Sequence, residues 1–295
     1  MKIKKSFGEQ LFDIINHIVL ILLCIVTLYP ILYVVFASLS EPQRIMSNTG
    51  LLWHPLGFSL LSYRAVFENH KIWLGYRNTI FYVVAGTAIN IFMTSLAAYA
   101  LSRKNLLWGK YIMRMILFTM YFGGGLIPTY LLMRSIHFLN TIWVMIIPGA
   151  ISVYNFVIMR TSFAGIPDSI EEAAKIDGAN EFAIMFRIVM PLSIPIIMVM
   201  VLYYGVGHWN AWFNAMIYLN ARKDLQPLQI YLREILMAND TASMMTGGIA
   251  DTDRAAVSST IKYATIIVAT VPILMVYPFI QRYFVKGVMI GAVKG

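Results

Sequence analysis

The residues best suited to bind a small molecule lie in the sequence GHWNAWFN, residues 207–214. This stretch places aromatic rings beside the amide groups of Asn210 and Asn214. Flat rings next to amide donors and acceptors match a sugar, which has apolar C–H faces and many hydroxyl groups. Trp209 and Trp212 also fit a different role, because tryptophan is enriched where a membrane helix meets water. The sequence leaves both roles open.

Other polar side chains lie inside long apolar stretches, where an unpaired polar group is costly. The candidates for a substrate path are Asn90, Asn155, His208, Trp209, Asn210 and Asn214. The alternative for each of them is a hydrogen bond to a neighbouring helix. No charged residue lies in the middle of a predicted span, which disfavours a transporter driven by protons or sodium and fits a neutral polar cargo.

No group of residues has the spacing of a catalytic or metal site. The five histidines show no metal-binding spacing, and Asp251 and Asp253 lack the rest of a calcium loop. Gly123-Gly124-Gly125 has no following Lys-Ser or Lys-Thr, so we expect close helix approach and a local break before Pro128 rather than a phosphate site. The sequence therefore predicts no catalytic residue, no metal and no cofactor on this chain. Any fuel would have to be hydrolysed by another subunit.

The stretch 166–191, IPDSIEEAAKIDGANEFAIMFRIVMP, predicts a helical hairpin. Asp168 and Glu171 have the spacing of a capping box, so a short helix should start there. Gly178 provides a helix stop, and Asn180 can cap a second helix. The hairpin has the character of a docking element.

The second helix of this hairpin should have one apolar face, followed by a stop at Pro191. Positions i, i+3, i+4 and i+7 of that face are Phe182, Met185, Phe186 and Val189. Such a stripe would anchor the hairpin either to its own helix bundle or to a partner.

The composition indicates a membrane protein: 59% of the 295 residues are hydrophobic and only 13% are charged. A bilayer needs about 20 mostly apolar residues for each spanning helix. Six stretches qualify, and no soluble domain is left over. The predicted spans are 15–37, 79–101, 111–133, 138–159, 191–218 and 261–280.

Lysines and arginines favour a topology with both termini in the cytoplasm. The hairpin then lies in a cytoplasmic loop, 160–190, and the tail 282–295 is cytoplasmic too. The outer loops are 39–78 and 219–262. In the second of these, an apolar stripe from Leu228 to Leu236 predicts a helix packed on the outer mouth of the bundle or a surface for an external partner. The polar stretch 238–253 predicts a mobile loop.

The hairpin resembles the EAA loop of permeases from binding-protein-dependent ABC importers. The matching residues are Glu172-Ala173-Ala174, Asp177-Gly178-Ala179, Ile188 and Pro191. The carbohydrate-importer branch is matched further by residues 123–132, Leu139-Asn140-Thr141, WNAWFN at 209–214 and the tail 284–295. The resemblance extends over nearly the whole chain. It is nearest to oligosaccharide permeases of the lipopolymer and pectin-fragment type, akin to the maltose permease small subunit.

This resemblance implies an all-α polytopic membrane protein with six transmembrane helices, the type I ABC importer permease fold. It implies a non-catalytic subunit of the bacterial cell membrane, paired with a second, different permease. An ATPase dimer would bind ATP and Mg²⁺, and an external solute-binding protein would deliver the oligosaccharide. The implied ATPase-coupling residues are Glu171, Glu172, Ala173, Ala174, Asp177, Gly178 and Ala179.

Two other classes of protein are alternatives to an importer permease. A membrane-embedded enzyme acting on lipid-linked sugars would need carboxylates or histidines clustered at one membrane face, and the only cytoplasmic acidic cluster lies on the hairpin. A secondary transporter or channel would show charge within its spans or an inverted repeat. The sequence does not identify the sugar. Pectin-derived or uronic-acid-containing oligosaccharides fit the branch. Arginines that could pair with uronates are absent from the predicted spans, but the partner subunit could supply them.

Overall fold

The computed structural model describes residues 6–237 and 251–292 of the chain. In these ranges the chain is helical and contains no β-strand, which confirms the all-α prediction. In chain order the helices are α1 (Phe7–Ser38), α2 (Pro42–Ser47), α3 (Leu61–Glu68), α4 (His70–Phe81), α5 (Thr87–Ser102), α6 (Gly109–Tyr121), α7 (Leu126–Ser135), α8 (Val153–Ala164), α9 (Asp168–Ile176), α10 (Glu181–Ile184), α11 (Met190–Leu192), α12 (Ile194–Trp209), α13 (Trp212–Tyr218), α14 (Leu228–Met237) and α15 (Asp251–Ala292). Two π-helical segments, Tyr82–Gly86 and Met185–Val189, and two 3₁₀ turns, Ile142–Met145 and Lys223–Leu225, complete the described structure.

Two helices of the described chain are long and apolar enough to cross a membrane. One is α1, and the other is the run His70–Ser102, in which α4, a π-helical turn and α5 are continuous. Two bent pairs would raise the number to four if each pair is one span: α6 with α7, and Glu181–Leu192 with α12. A shorter apolar helix, Thr260–Val276, lies within α15. The six-span count therefore stays a prediction.

The predicted span 111–133 is broken into two helices by its glycines. Between α6 and α7 the axis turns by 112°. Gly125 has φ +83°, a backbone conformation that favours glycine. The predicted break is confirmed, but the predicted close approach is not seen here, because a Cβ on Gly123 or Gly125 would meet no atom within 4 Å.

The predicted span 138–159 is not one helix. The 3₁₀ turn Ile142–Met145 comes first, and α8 begins only at Val153, where the Ser152 hydroxyl accepts from the Asn155 N–H at 3.5 Å. Asn140, at φ 59°, accepts through its side chain from the Ala221 N–H at 3.0 Å. A continuous apolar run has no periodicity to distinguish a buried irregular segment from a helix, so the sequence could not separate the two.

The described helices group into two compact units. The first combines residues up to 70 with 234–270. In it the hydroxyls of Ser62 and Thr260 lie 2.8 Å apart, and the rings of Tyr33 and Tyr263 are 5.8 Å apart. The long apolar side chains of α1 are largely exposed, as expected for a helix in contact with lipid.

The second unit combines residues 71–233 with those after 270 and contains two apolar clusters. In the first, α5 packs against α8 and α12, and the hairpin contributes buried side chains to the same cluster. In the second, the end of α7, the 3₁₀ turn Ile142–Met145, α13 and the start of α14 come together around Tyr82. The hairpin lies at the first cluster, and the chain before α14 lies at the second.

Candidate functional site

The first hairpin helix begins as predicted at Asp168, but not with the predicted capping box. Pro167 occupies the cap position, and no side chain caps the helix. The Asp168 carboxylate instead meets the Lys104 ammonium at 2.5 Å, and Glu171 pairs with Arg103. Arg103 and Lys104, which directly follow α5, thus pair with the two acids that were expected to form the capping box.

The hairpin turn forms as its sequence predicts. Gly178 has φ +81°, and the next N–H, that of Ala179, donates to the Ala174 carbonyl at 2.9 Å. The Asn180 side chain accepts from the Ala183 N–H at 2.8 Å, so the predicted cap of the second helix is confirmed.

The second hairpin helix does not end at Pro191. It continues through the π-helical segment Met185–Val189 to Leu192, and the chain then turns by 85° into α12 around Ser193. Prolines and π-helical turns are both common causes of a kink, and here they are adjacent. The predicted stop is therefore displaced by one residue, to Leu192.

The apolar stripe of this helix is divided between two surroundings. Met185 and Val189 are 1% and 0% exposed and belong to the core formed with α5 and α8. Phe182 is 66% exposed, and Phe186 is exposed as well and stacks on Phe92. A π-helical turn holds more residues than an α-helical one, so the four residues do not share one face. The stripe both anchors the hairpin to its own bundle and leaves rings at its surface.

The predicted coupling residues also fall on two sides of the hairpin. Glu171 and Ala174 are buried against the bundle. The exposed members of the set are Glu172, Ala173, Asp177 and Gly178, while Ala179 is half-buried. Ile176, beside them at the end of α9, is 87% exposed. A charged and apolar surface therefore faces away from the bundle.

Arg103, directly after α5, makes the central contact to the hairpin. Its guanidinium pairs with the buried Glu171 carboxylate and donates to the Ser102 hydroxyl at 2.8 Å and to the Phe163 carbonyl at 3.1 Å. It also lies over the Tyr99 ring, 4.8 Å from its centre. One side chain thus joins the end of α5, the end of α8 and α9.

Tyr99 and Lys175 connect the same region to the second hairpin helix. The Tyr99 hydroxyl donates to Glu181 at 2.5 Å, and the Lys175 ammonium lies 2.8 Å from the other oxygen of that carboxylate. We call Tyr99, Arg103, Glu171, Lys175 and Glu181 the hairpin clamp. A cavity of ≈ 620 Å³ lies beside it, lined among others by Leu106 and Phe182.

In the sequence this clamp is visible only as the basic pair Arg103-Lys104 at the end of a predicted span. Such a pair predicts topology and indicates no acidic partner. Lys104 does differ from Arg103, because its pair with Asp168 is exposed. The hydrogen bond from Lys104 lowers the pKa of the Asp168 carboxyl below its ordinary value.

The substrate-path candidates Asn90 and His208 lie together. The Asn90 amide donates to the carbonyls of Gly149 and Ala150 at 2.6 and 3.0 Å, and its oxygen accepts from His208 Nε2 at 2.7 Å. A Cβ on Gly86 would lie only 2.4 Å from that nitrogen, so glycine is what lets the imidazole approach. These contacts join α5 to α12, as the helix-packing alternative expects.

The remaining candidates differ in exposure. Asn155 and Trp209 are buried, and the Trp209 ring lies 6.4 Å from that of Tyr76. Asn210 and Asn214 are exposed. Trp212, 37% exposed, lies beneath the guanidinium of Arg233 with 5.2 Å between them. Arg233 was not among the residues predicted from the sequence, because it comes from α14.

The helix α14 is packed on the bundle at its start, as one of the two predictions for it stated. Leu228, Ile230 and Tyr231 are buried. Of the predicted mobile loop 238–253, residues 238–250 lie outside the described residues, and 251–253 form the first turn of α15.

Hydrogen bonds from the run His70–Ser102 fix the chain before α14. The Asn78 amide donates to the carbonyls of Asp224 and Gln226 at 2.7 and 3.0 Å. The Tyr82 hydroxyl donates to the Leu225 carbonyl at 2.8 Å, and the Thr79 hydroxyl accepts from the Leu228 N–H at 2.9 Å. We call Asn78, Thr79 and Tyr82 with residues 224–228 the loop clamp.

Comparison with known proteins places this architecture among transport permeases. Residues 72–290 match the family model of the binding-protein-dependent transport system inner membrane component. The chain is 39% identical to the polygalacturonan/rhamnogalacturonan transport system permease protein YtcP of Bacillus subtilis, over 97% of this chain and 99% of that protein. It is 37% identical to Protein LplC of the same organism, over 97% and 96% of the two chains.

A solved structure has the same fold. It belongs to a bacterial ABC transporter involved in the import of the acidic polysaccharide alginate. The TM-score is 0.87 at 30% sequence identity, and the match covers 96% of this chain and 100% of the other.

Proposed function

This chain belongs to the family of binding-protein-dependent transport system inner membrane components and is a carbohydrate ABC transporter permease, and we propose that it imports a uronate-containing oligosaccharide. The observation that carries the choice of sugar is the similarity just described. One relative is named for polygalacturonan and rhamnogalacturonan, and the solved neighbour for alginate. Family membership sets aside the membrane-embedded enzyme and the secondary transporter.

The chain would work as one half of a translocation path. A second, different permease would supply the other half, and an external solute-binding protein would deliver the sugar. Two ATPase subunits would bind ATP and Mg²⁺, so this chain would bind no cofactor and act as a non-catalytic subunit. Six spans would place both termini, the loop 160–190 and the tail 282–295 in the cytoplasm.

The hairpin would be the contact with the ATPase. Its outward surface supports this role, because Glu172, Ala173 and Ile176 are exposed there together with Phe182. An exposed surface that combines apolar rings with a carboxylate is typical of a protein contact. The inward residues Glu171 and Ala174 would fix the hairpin to the spans, so that closure of the ATPase moves them.

Trp212 and Arg233 offer the chemistry for an acidic sugar at the outer mouth. An indole face packs against the C–H face of a sugar ring, and a guanidinium pairs with a carboxylate in two parallel hydrogen bonds. Among the described residues, Arg233 has no carboxylate partner. The arginine that was missing from the predicted spans would thus be supplied by α14, outside them.

The proposal is tested by uptake into proteoliposomes that hold the complete complex with its binding protein. Labelled oligogalacturonides should enter in an ATP-dependent, saturable manner, and neutral oligosaccharides of equal length should enter much more slowly. Equal uptake of both, or uptake of the neutral sugar only, would overturn the choice of a uronate.

Arg233→Gln tests the contribution of this chain to sugar recognition. We expect roughly a ten- to hundredfold loss in uptake of the oligogalacturonide, since one charge-assisted contact contributes roughly 1.5–3 kcal/mol. The matched control is Arg114→Gln, because Arg114 also lies over an aromatic ring, that of Tyr111, but in α6. Equal effects of the two substitutions would remove Arg233 from the site.

A further inference from the structure

We infer that Arg103 is a positioning residue for energy coupling: through its pair with Glu171 it fixes the hairpin to the ends of α5 and α8. The inference rests on the proposed contact between hairpin and ATPase. It adds a residue outside the hairpin and assigns different roles to two neighbouring acids.

Several different contacts hold Arg103. Its guanidinium pairs with a buried carboxylate, donates to a hydroxyl and to a main-chain carbonyl, and lies over the Tyr99 ring. A guanidinium held by several such contacts keeps one orientation, and a lysine could not reproduce the same set of contacts. The role of Arg103 therefore depends on its set of contacts as well as on its charge.

Glu171 and Glu172 face different surroundings. Successive residues on a helix point about 100° apart. Glu171 is buried and faces Arg103, whereas Glu172 is exposed on the outward surface. The inward carboxylate would hold the hairpin and the outward one would meet the partner, so the two cannot exchange roles.

The hairpin is joined to the bundle by bends at both of its ends. It is connected to α8 by the turn at Gly165 and to α12 by the 85° bend at Ser193. Side-chain contacts must therefore fix its direction, and those of Arg103 reach both α5 and α8. Asn90 also lies on α5, more than two helical turns from Tyr99 of the clamp, and is hydrogen-bonded to His208 of α12. A hairpin held by Arg103 would move these helices together with itself.

The test is the number of sugar molecules imported per ATP hydrolysed by the reconstituted complex. Arg103→Gln should lower this ratio at least fivefold while ATP hydrolysis continues. The matched control is Lys104→Gln, which removes the neighbouring exposed pair with Asp168 and should leave the ratio unchanged. An unchanged ratio in Arg103→Gln would overturn the inference.

A second measurement covers the case in which Arg103→Gln assembles poorly. Spin labels at positions 105 and 169, both exposed, report the distance between the end of α5 and the hairpin in a Cys24→Ser background. Arg103→Gln and Glu171→Gln should broaden that distance distribution in the permease pair alone, and Lys104→Gln should not. A distribution as narrow as that of the unmodified chain would exclude the positioning role.

A substitution in the hairpin turn, Gly178→Asp, separates this inference from the proposed contact between hairpin and ATPase. If Gly178→Asp leaves transport intact, the hairpin is not the coupling element and that proposed contact fails. If Gly178→Asp stops transport but Arg103→Gln changes neither the ratio nor the distances, only the role of Arg103 fails.

Discussion

The loop clamp and the hairpin clamp each fix another segment of the chain to the run His70–Ser102 or to its end, but they do so by different chemistry. Both use side chains from or next to the run His70–Ser102, one near its start and one at its end. The loop clamp consists of neutral hydrogen bonds over a buried apolar cluster. The hairpin clamp is built around ion pairs and the charged groups that form them, and the helices that it holds still expose Ile176 and Phe182.

This difference separates a structural cap from an element built for contact. The side chains of Asn78, Thr79 and Tyr82 are themselves buried, so these neutral bonds leave little for a partner to bind. Charged bonds fix direction without covering the surface, so the hairpin keeps its outward residues free for a partner. We therefore expect substitutions in the loop clamp to reduce stability and substitutions at the hairpin to reduce coupling.

The largest effect should come from the hairpin turn. Gly178→Asp should abolish sugar uptake while leaving membrane insertion intact. The φ of +81° at this position costs roughly 1–2 kcal/mol for other residues, and the new charge would stand on the contact surface. Uptake by the complete transporter measures it, with Gly149→Ala as the control because a Cβ there meets no atom within 4 Å. Normal uptake in Gly178→Asp would contradict the coupling role.

The loop clamp should respond in stability. Thr79→Val leaves the buried Leu228 N–H without its acceptor, which costs about 1–3 kcal/mol. The thermal midpoint of the purified complex should fall, whereas the sugar-to-ATP ratio should not change. A changed ratio at an unchanged midpoint would remove the distinction between the two clamps.

A smaller effect is expected for the contact between Asn90 and His208. If this contact only joins α5 to α12, His208→Ala should destabilise the complex by about 0.6 kcal/mol and leave sugar selectivity unaltered. If it lines the path, the preference between oligogalacturonides of different length should shift. Competition uptake assays with a short and a long oligogalacturonide decide between packing and path. The variant Asn210→Ala, at an exposed position, is measured for comparison.

The smallest effect is expected for the exposed pair of Asp168 and Lys104. The pKa of Asp168 is lowered in the folded chain, so the stabilisation by this pair is present above the ordinary pKa of an aspartate. It is lost as the pH falls through the lowered value. The difference in thermal midpoint between the unmodified chain and Lys104→Gln should be close to the detection limit at pH 7 and vanish in acid. A large difference in thermal midpoint at neutral pH would contradict this expectation and would add the pair to the hairpin clamp.

The sequence predicted those parts of the hairpin that depend on local geometry. Gly178 and Asn180 act on the backbone within a few residues, and both were identified. The capping box at Asp168 was wrong, because Lys104 and Arg103 offer stronger, charged partners to its two acids.

Contacts between distant residues had no signal of their own. Nothing in the spacing of Arg103 and Glu171 connects them, and the π-helical segment that divides the apolar stripe has no pattern in the sequence. The irregular chain before α8 was missed for a similar reason, because it is as apolar as a span.

The run His70–Ser102 has a consequence for mechanics that follows from its length. Its 33 residues extend over roughly 50 Å at about 1.5 Å per residue, whereas the hydrocarbon core of a bilayer is about 30 Å thick. A single rod can therefore reach beyond the lipid on both sides and bear one clamp near each end. A tilt imposed at the end that bears the hairpin clamp would appear at the other end with the opposite sense, as in a lever with its pivot between the two clamps.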